Sequence, residues 1–106
     1  MDQPEGPPLG LAIVLSHCGE AERHVIAALE QCDGAPNAVN RLALSASWLA
    51  LGIAIDQVCR CTALYPGSRA ALSCASAACA RVEELHFQLE RRGLLQRPED
   101  ADHTGG

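Results

Sequence analysis

The chain contains no lysine, and all eight of its basic residues are arginine. Schiff-base and lysine-nucleophile chemistry are thereby excluded. Aromatic side chains are nearly missing as well, with Trp48, Tyr65 and Phe87 as the whole complement. Recognition of nucleic acid normally needs a basic patch and, for single strands, a platform of rings. A net charge of −5 with dispersed arginine offers neither, so no nucleic-acid partner is expected.

The common catalytic and metal signatures are missing too. There is no Cys-x-x-Cys pair, which removes the strongest mark of zinc ribbons and thioredoxin-like redox sites. No serine sits in a Gly-x-Ser-x-Gly elbow, and Gly52 and Gly67 lack the further glycines of a phosphate loop. No zinc-protease spacing and no repeated di-iron pattern occurs. No catalytic residue is assigned, and an enzyme is not expected.

What the chain does contain is a run without a charge, LALSASWLALGIAI, over residues 42–55. Its surroundings are helical in pattern, so one helix is apolar nearly all round and must be buried on several sides. A bilayer span needs roughly 17 to 25 apolar residues, and a shorter run is more often a core helix, so no membrane partner is expected. With 106 residues there is room for one domain with little core to spare. That core must come from Ala, Leu, Ile, Val and Cys, small side chains that favour helix packed on helix.

The N-terminal stretch MDQPEGPP is acidic and proline-rich, without the basic start of a secretory signal. A cytoplasmic location is expected. Six cysteines in a reducing compartment are then free thiols or metal ligands rather than a disulfide framework.

Residues 1–8 and 96–106 carry Pro, Gly and acids without apolar periodicity and are predicted to be disordered, solvated tails around a bundle over 9–95. Three helical segments are predicted between them. The first spans about 9–32 and stops at Asp33-Gly34, with Gly34 as its cap and Pro36 opening the next helix. The second spans about 36–64, and Tyr65-Pro66-Gly67-Ser68 breaks it, with Ser68 capping the third helix. That third helix spans about 69–92 and ends at Gly93, where Arg91 and Arg92 suit the negative end of the helix dipole. Short links make neighbours antiparallel. The expected fold is an all-α, antiparallel up-down bundle of three long helices completed by self-association.

The apolar faces follow from the helical period. The first helix gathers Leu11, Val14, Leu15, Cys18, Val25, Leu29 and Cys32 on one side, and the third gathers Ala71, Ala75, Ala78, Val82, Leu85 and Leu89. The second helix has two apolar sides, Leu44/Leu51/Ile55/Val58 and Leu42/Leu49/Ile53. Three helices leave part of the second side uncovered, and an exposed apolar patch usually marks an interface. Leu42, Trp48, Leu49 and Ile53 are therefore the candidate interface of a homo-oligomer, with a larger protein as a further partner.

Two groups are candidate metal ligands. His17, Glu20 and His24 fall within about 60° of one another on the first helix, facing one ion or simply the solvent. Cys59, Cys61, Cys74 and Cys79 are the thiolate set, although Cys59 and Cys61 point about 200° apart inside a helix. Cys18 and Cys32 lie among leucines, where thiols act as small hydrophobes. The stretch VCRCTALYPGSRAALSCASAACARVEEL resembles the cysteine-rich four-helix copper-storage proteins over about a third of the chain. Their repeated Cys-x-x-x-Cys spacing is missing, because Cys74 and Cys79 are five apart, and no family is assigned.

The expected function is that of a small non-catalytic helical interaction or oligomerisation module, possessing no cofactor and acting in regulation. The alternative is a cytosolic thiolate bundle that stores or senses copper or zinc.

Overall fold

A computed structural model describes residues 7–94. They form three helices and no strand: α1 (Leu9–Gly34), α2 (Ala38–Thr62) and α3 (Arg69–Arg91). The predicted tails lie outside the described residues, apart from Pro7 and Pro8.

The first turn corrects the expected boundary. Gly34 remains inside α1, and the chain leaves the helix at Ala35, with φ −149° and ψ 87°. Pro36 explains the position, because a proline disfavours helical backbone at the residue before it. Gly34 is not a left-handed cap, since Gly93 is the one positive-φ residue among those described. Nor does Pro36 open α2. Asn37 caps it, its side chain accepting from the Asn40 backbone N–H at 2.8 Å. The Asn40 amide in turn donates to the Ala35 carbonyl at 2.8 Å, so two asparagines hold the α1–α2 corner.

The second turn matches the sequence closely. Thr62 ends α2 with its hydroxyl donating to the Val58 carbonyl at 2.7 Å, and Ser68 caps α3 by accepting from the Ala71 N–H at 3.0 Å. At the far end, Leu94 N–H donates to the Leu89 carbonyl and Gly93 N–H to that of Glu90, both at 3.0 Å. These are the paired bonds of a helix closed by a left-handed glycine, and Gly93 has φ +69°.

The core collects the expected faces. Leu11, Cys18, Val25, Leu29 and Cys32 of α1 meet Leu44, Leu51, Ala54 and Val58 of α2, and α3 adds Ala71, Ala75, Leu85 and Leu89. Most of this packing joins α1 to α2, and α3 meets each of them more sparingly. The alanine-rich first half of α3 also brings little apolar area to each contact it makes.

Polar contacts compensate. Arg81 of α3 donates through Nε to Glu22 of α1 at 2.9 Å, and Arg92 holds Asp33 with Nε and Nη2 at 3.0 and 3.2 Å. The Glu22 side chain is only 11% exposed while that of Arg81 is 52% exposed, so the carboxylate has been taken out of water and the guanidinium has not. Loss of the partner leaves a buried charge uncompensated, which costs about 3 to 5 kcal/mol where both groups are deeply buried and less here. Arg81→Ala is expected to lower unfolding free energy by about 1 to 2 kcal/mol, against under about 1 kcal/mol for Arg92→Ala at its exposed pair. Urea unfolding of both variants checks the order, and equal losses would contradict the distinction.

Candidate functional site

α2 carries the least satisfied surface of the molecule. Its inner side is buried through Leu44, Leu51, Ala54 and Val58, yet Val39, Leu42, Leu49 and Ile53 stand 57% to 75% exposed. Val39, Leu42, Ala46, Leu49 and Ile53 are spaced three and four residues alternately, which lines them along one seam of a helix. Ala43, Ser45, Ala50 and Gly52 flank that seam. Such small neighbours allow a second helix to approach closely. The seam ends in charge, where Arg60 donates to Asp56 at 2.8 Å.

Gly52 opens the middle of this surface. A Cβ built there would meet nothing within 4 Å, and a shallow groove runs past it between Trp48, Leu49, Ile53 and Asp56. Trp48 is placed differently from the other candidate interface residues. It is half-buried, with its indole stacked on His86 of α3 at a centroid distance of 5.8 Å and 26° between planes. Trp48 therefore forms one wall of the surface and joins it to α3. His86 has no signal in the sequence, since nothing in the pattern of α3 tells which α2 residue it will face.

The helix is also longer than its uncharged run. α2 extends to 25 residues, with mean hydropathy 1.6 in its most apolar window, of which 22% is buried. By length and composition it is the one helix among the described residues able to cross a membrane. Counting from charge to charge understates this, because the helix runs on past Arg41 and Asp56 at either end.

The candidate metal ligands are scattered. His17, Glu20 and His24 are all exposed on α1. Cys61 and Cys74 are half-buried on α2 and α3. No group of three or more His, Cys, Asp or Glu side chains suited to holding a metal ion occurs among the described residues. Of the thiolate set, only Cys79 is shifted, its thiol pushed above its ordinary value by burial first and then by Cys59.

All six cysteines are free, but only Cys18 and Cys32 are fully buried, and Cys59 is exposed. Cys18 lies beside Glu22, its Sγ donating weakly to Oε2 at 3.9 Å. Glu22 is the residue of this cluster that sequence reasoning missed, although its spacing from Cys18 and Val25 puts it on the apolar face. Burial first, and then the Glu22 carboxylate, push the Cys18 thiol above its ordinary value of 9.0. A buried thiol with a raised pKa is a poor nucleophile, so this cluster is structural.

No protein-family model, curated protein or solved structure matches the chain.

The Cys18 thiol makes stability depend on alkali. A group whose pKa is higher in the folded state keeps its full contribution below the unfolded value and loses it as pH rises through the folded value. Unfolding free energy should thus fall above about pH 9, with Cys18 contributing at most about 1.4 kcal/mol per pH unit. Denaturant unfolding between pH 8 and 10.5 checks this, and Cys18→Ala should shallow the slope. An identical slope in the variant would contradict the assignment.

Proposed function

We propose that this chain is a non-catalytic helical association module whose exposed α2 seam is covered by the same seam of a second copy. The supporting observation is the outward stripe of Val39, Leu42, Leu49 and Ile53 on a helix whose other side is already in the core. The seam is self-complementary in kind, because aliphatic ridges alternate along it with the open position at Gly52. Small flanking residues suit a helix as the occupant, and each copy brings such a helix.

Magnitudes fit a dimer of moderate strength. Fully burying a large aliphatic side chain contributes about 1.5 to 3 kcal/mol, so the eight side chains of two stripes supply at most roughly 12 to 24 kcal/mol before losses. Association itself costs roughly 4 to 15 kcal/mol. Micromolar self-association is the expected regime. Lipid suits the seam less well than a second copy, because insertion of α2 would remove from α1 and α3 the very face that covers their core and would draw Arg41, Asp56 and Arg60 toward the bilayer.

Sedimentation at tens of micromolar should show a dimer. Leu49→Arg should give a folded monomer, since Leu49 is 68% exposed and its loss leaves the core intact, while the added charge would sit unpaired in the contact. Gly52→Leu, whose side chain meets open space within one copy, should also weaken association without loss of helicity. A wild-type monomer at these concentrations, or variants that dimerise unchanged, would overturn the reading.

A further inference from the structure

A groove of about 570 Å³ opens between the first half of α2 and the end of α3, a size within the range of small-molecule sites. From α2 it is lined by the buried Leu44, the half-buried Trp48 and the exposed Leu49. From the α3 side it is lined by Leu94, which the left-handed Gly93 turns back onto the core. Arg41 and Ser45 line it as well. Trp48 and Leu49 follow Arg41 by about two helical turns and Ser45 follows it by about one, so a polar end and an apolar end share one face of α2.

A second arginine, Arg92, lines the same groove, but its guanidinium is committed to the Asp33 carboxylate and to the Gln88 carbonyl. Arg41 is not. Neither its guanidinium nor the Ser45 hydroxyl has a hydrogen-bond or ion-pair partner among the described residues. Arg41 is also the fourth residue of α2, in a first turn that contains no acid, so its charge adds to the positive end of the helix dipole. A cation is disfavoured at that position until an anion meets it. A chain of net charge −5 thus carries an uncompensated positive pole at the mouth of an apolar groove. The neighbouring groove further along α2 carries Asp56 in place of an arginine.

We propose that this groove binds a small amphiphilic carboxylate, its head on Arg41 and Ser45 and its hydrocarbon body along Trp48, Leu49 and Leu94. The planar guanidinium matches a carboxylate with two parallel N–H donors, and the serine hydroxyl supplies a third. The two ends of the groove together fix the class of ligand. An inorganic anion would leave the leucines wet, and a neutral hydrocarbon would leave Arg41 unmet. The site is complete within one chain and does not rest on the dimer proposed above, although Leu49 belongs to both surfaces.

Trp48 is the only tryptophan, so its emission reads the groove in the full chain. Octanoate titrated into low-micromolar protein at neutral pH should change that emission saturably, with Kd roughly 1 mM. Arg41→Gln should weaken binding by about tenfold through loss of a charge-assisted contact, and Arg41→Lys by less. Arg41 is exposed, so circular dichroism of both variants should match the wild type. Ile53→Ala, which alters only the neighbouring groove, should leave the affinity unchanged. Octylammonium should bind more weakly than octanoate even though the net charge of the chain favours the cation, so the preference reports the groove itself. Sedimentation of the same samples reads association separately, which distinguishes failure of this site from failure of the dimer. No saturable change at ten times the expected Kd, unchanged affinity in Arg41→Gln, an equal loss in Ile53→Ala, or octylammonium binding as well as octanoate would overturn the proposal.

Discussion

A helix that is apolar around most of its circumference can be covered on only as many sides as it has neighbours, and α2 has two. α1 and α3 occupy its inner side, where Leu44, Leu51, Ala54 and Val58 become buried. The outer side, from Val39 to Ile53, then has nothing from the described residues to pack against it. The remaining architecture can be understood from this limit. α1 puts leucine, valine and cysteine onto α2 along most of their shared length, and the asparagine corner at residues 35–40 fixes how the two meet. α3 supplies mostly alanine in its first half and therefore covers α2 thinly.

Because area is short at α3, specific contacts matter more there than anywhere else in the molecule. Arg81 reaches the buried Glu22, Arg92 holds Asp33, and Trp48 stacks on His86. The first two bind α3 to α1 and the third binds it to α2. An element with few buried apolar contacts belongs to the part of a protein that opens most easily.

Much of this architecture is legible from residue spacing. The three helices, the caps at Ser68 and Gly93 and nearly every buried position of α1 and α3 follow from the helical period and from turn chemistry. The uncovered side of α2 is legible as well, because Leu42, Leu49 and Ile53 form a second apolar ridge that three helices do not reach. The first corner departs from expectation: glycine at position 34 is permitted to end a helix, but the proline at 36 acts one residue later and decides the matter through Ala35. Contacts between helices are the least legible. His86 beneath Trp48 depends on the register of α2 against α3, which is set by packing rather than by any local signal. Glu22 lies between these cases, visible by its position on the apolar face but not by its distant partner Arg81.

The central claim is that the outer seam of α2 faces its own counterpart. Isotope-filtered NMR on an equal mixture of carbon-13-labelled and unlabelled chains observes such a contact atom by atom. Intermolecular cross-peaks are predicted from the methyl groups of Leu42, Leu49 and Ile53 in labelled chains to aliphatic protons of unlabelled ones, since helices packed across small residues bring their axes to about 8 to 10 Å. Cross-peaks confined to another surface, or none from these three residues at concentrations where the chain is dimeric, would contradict the claim.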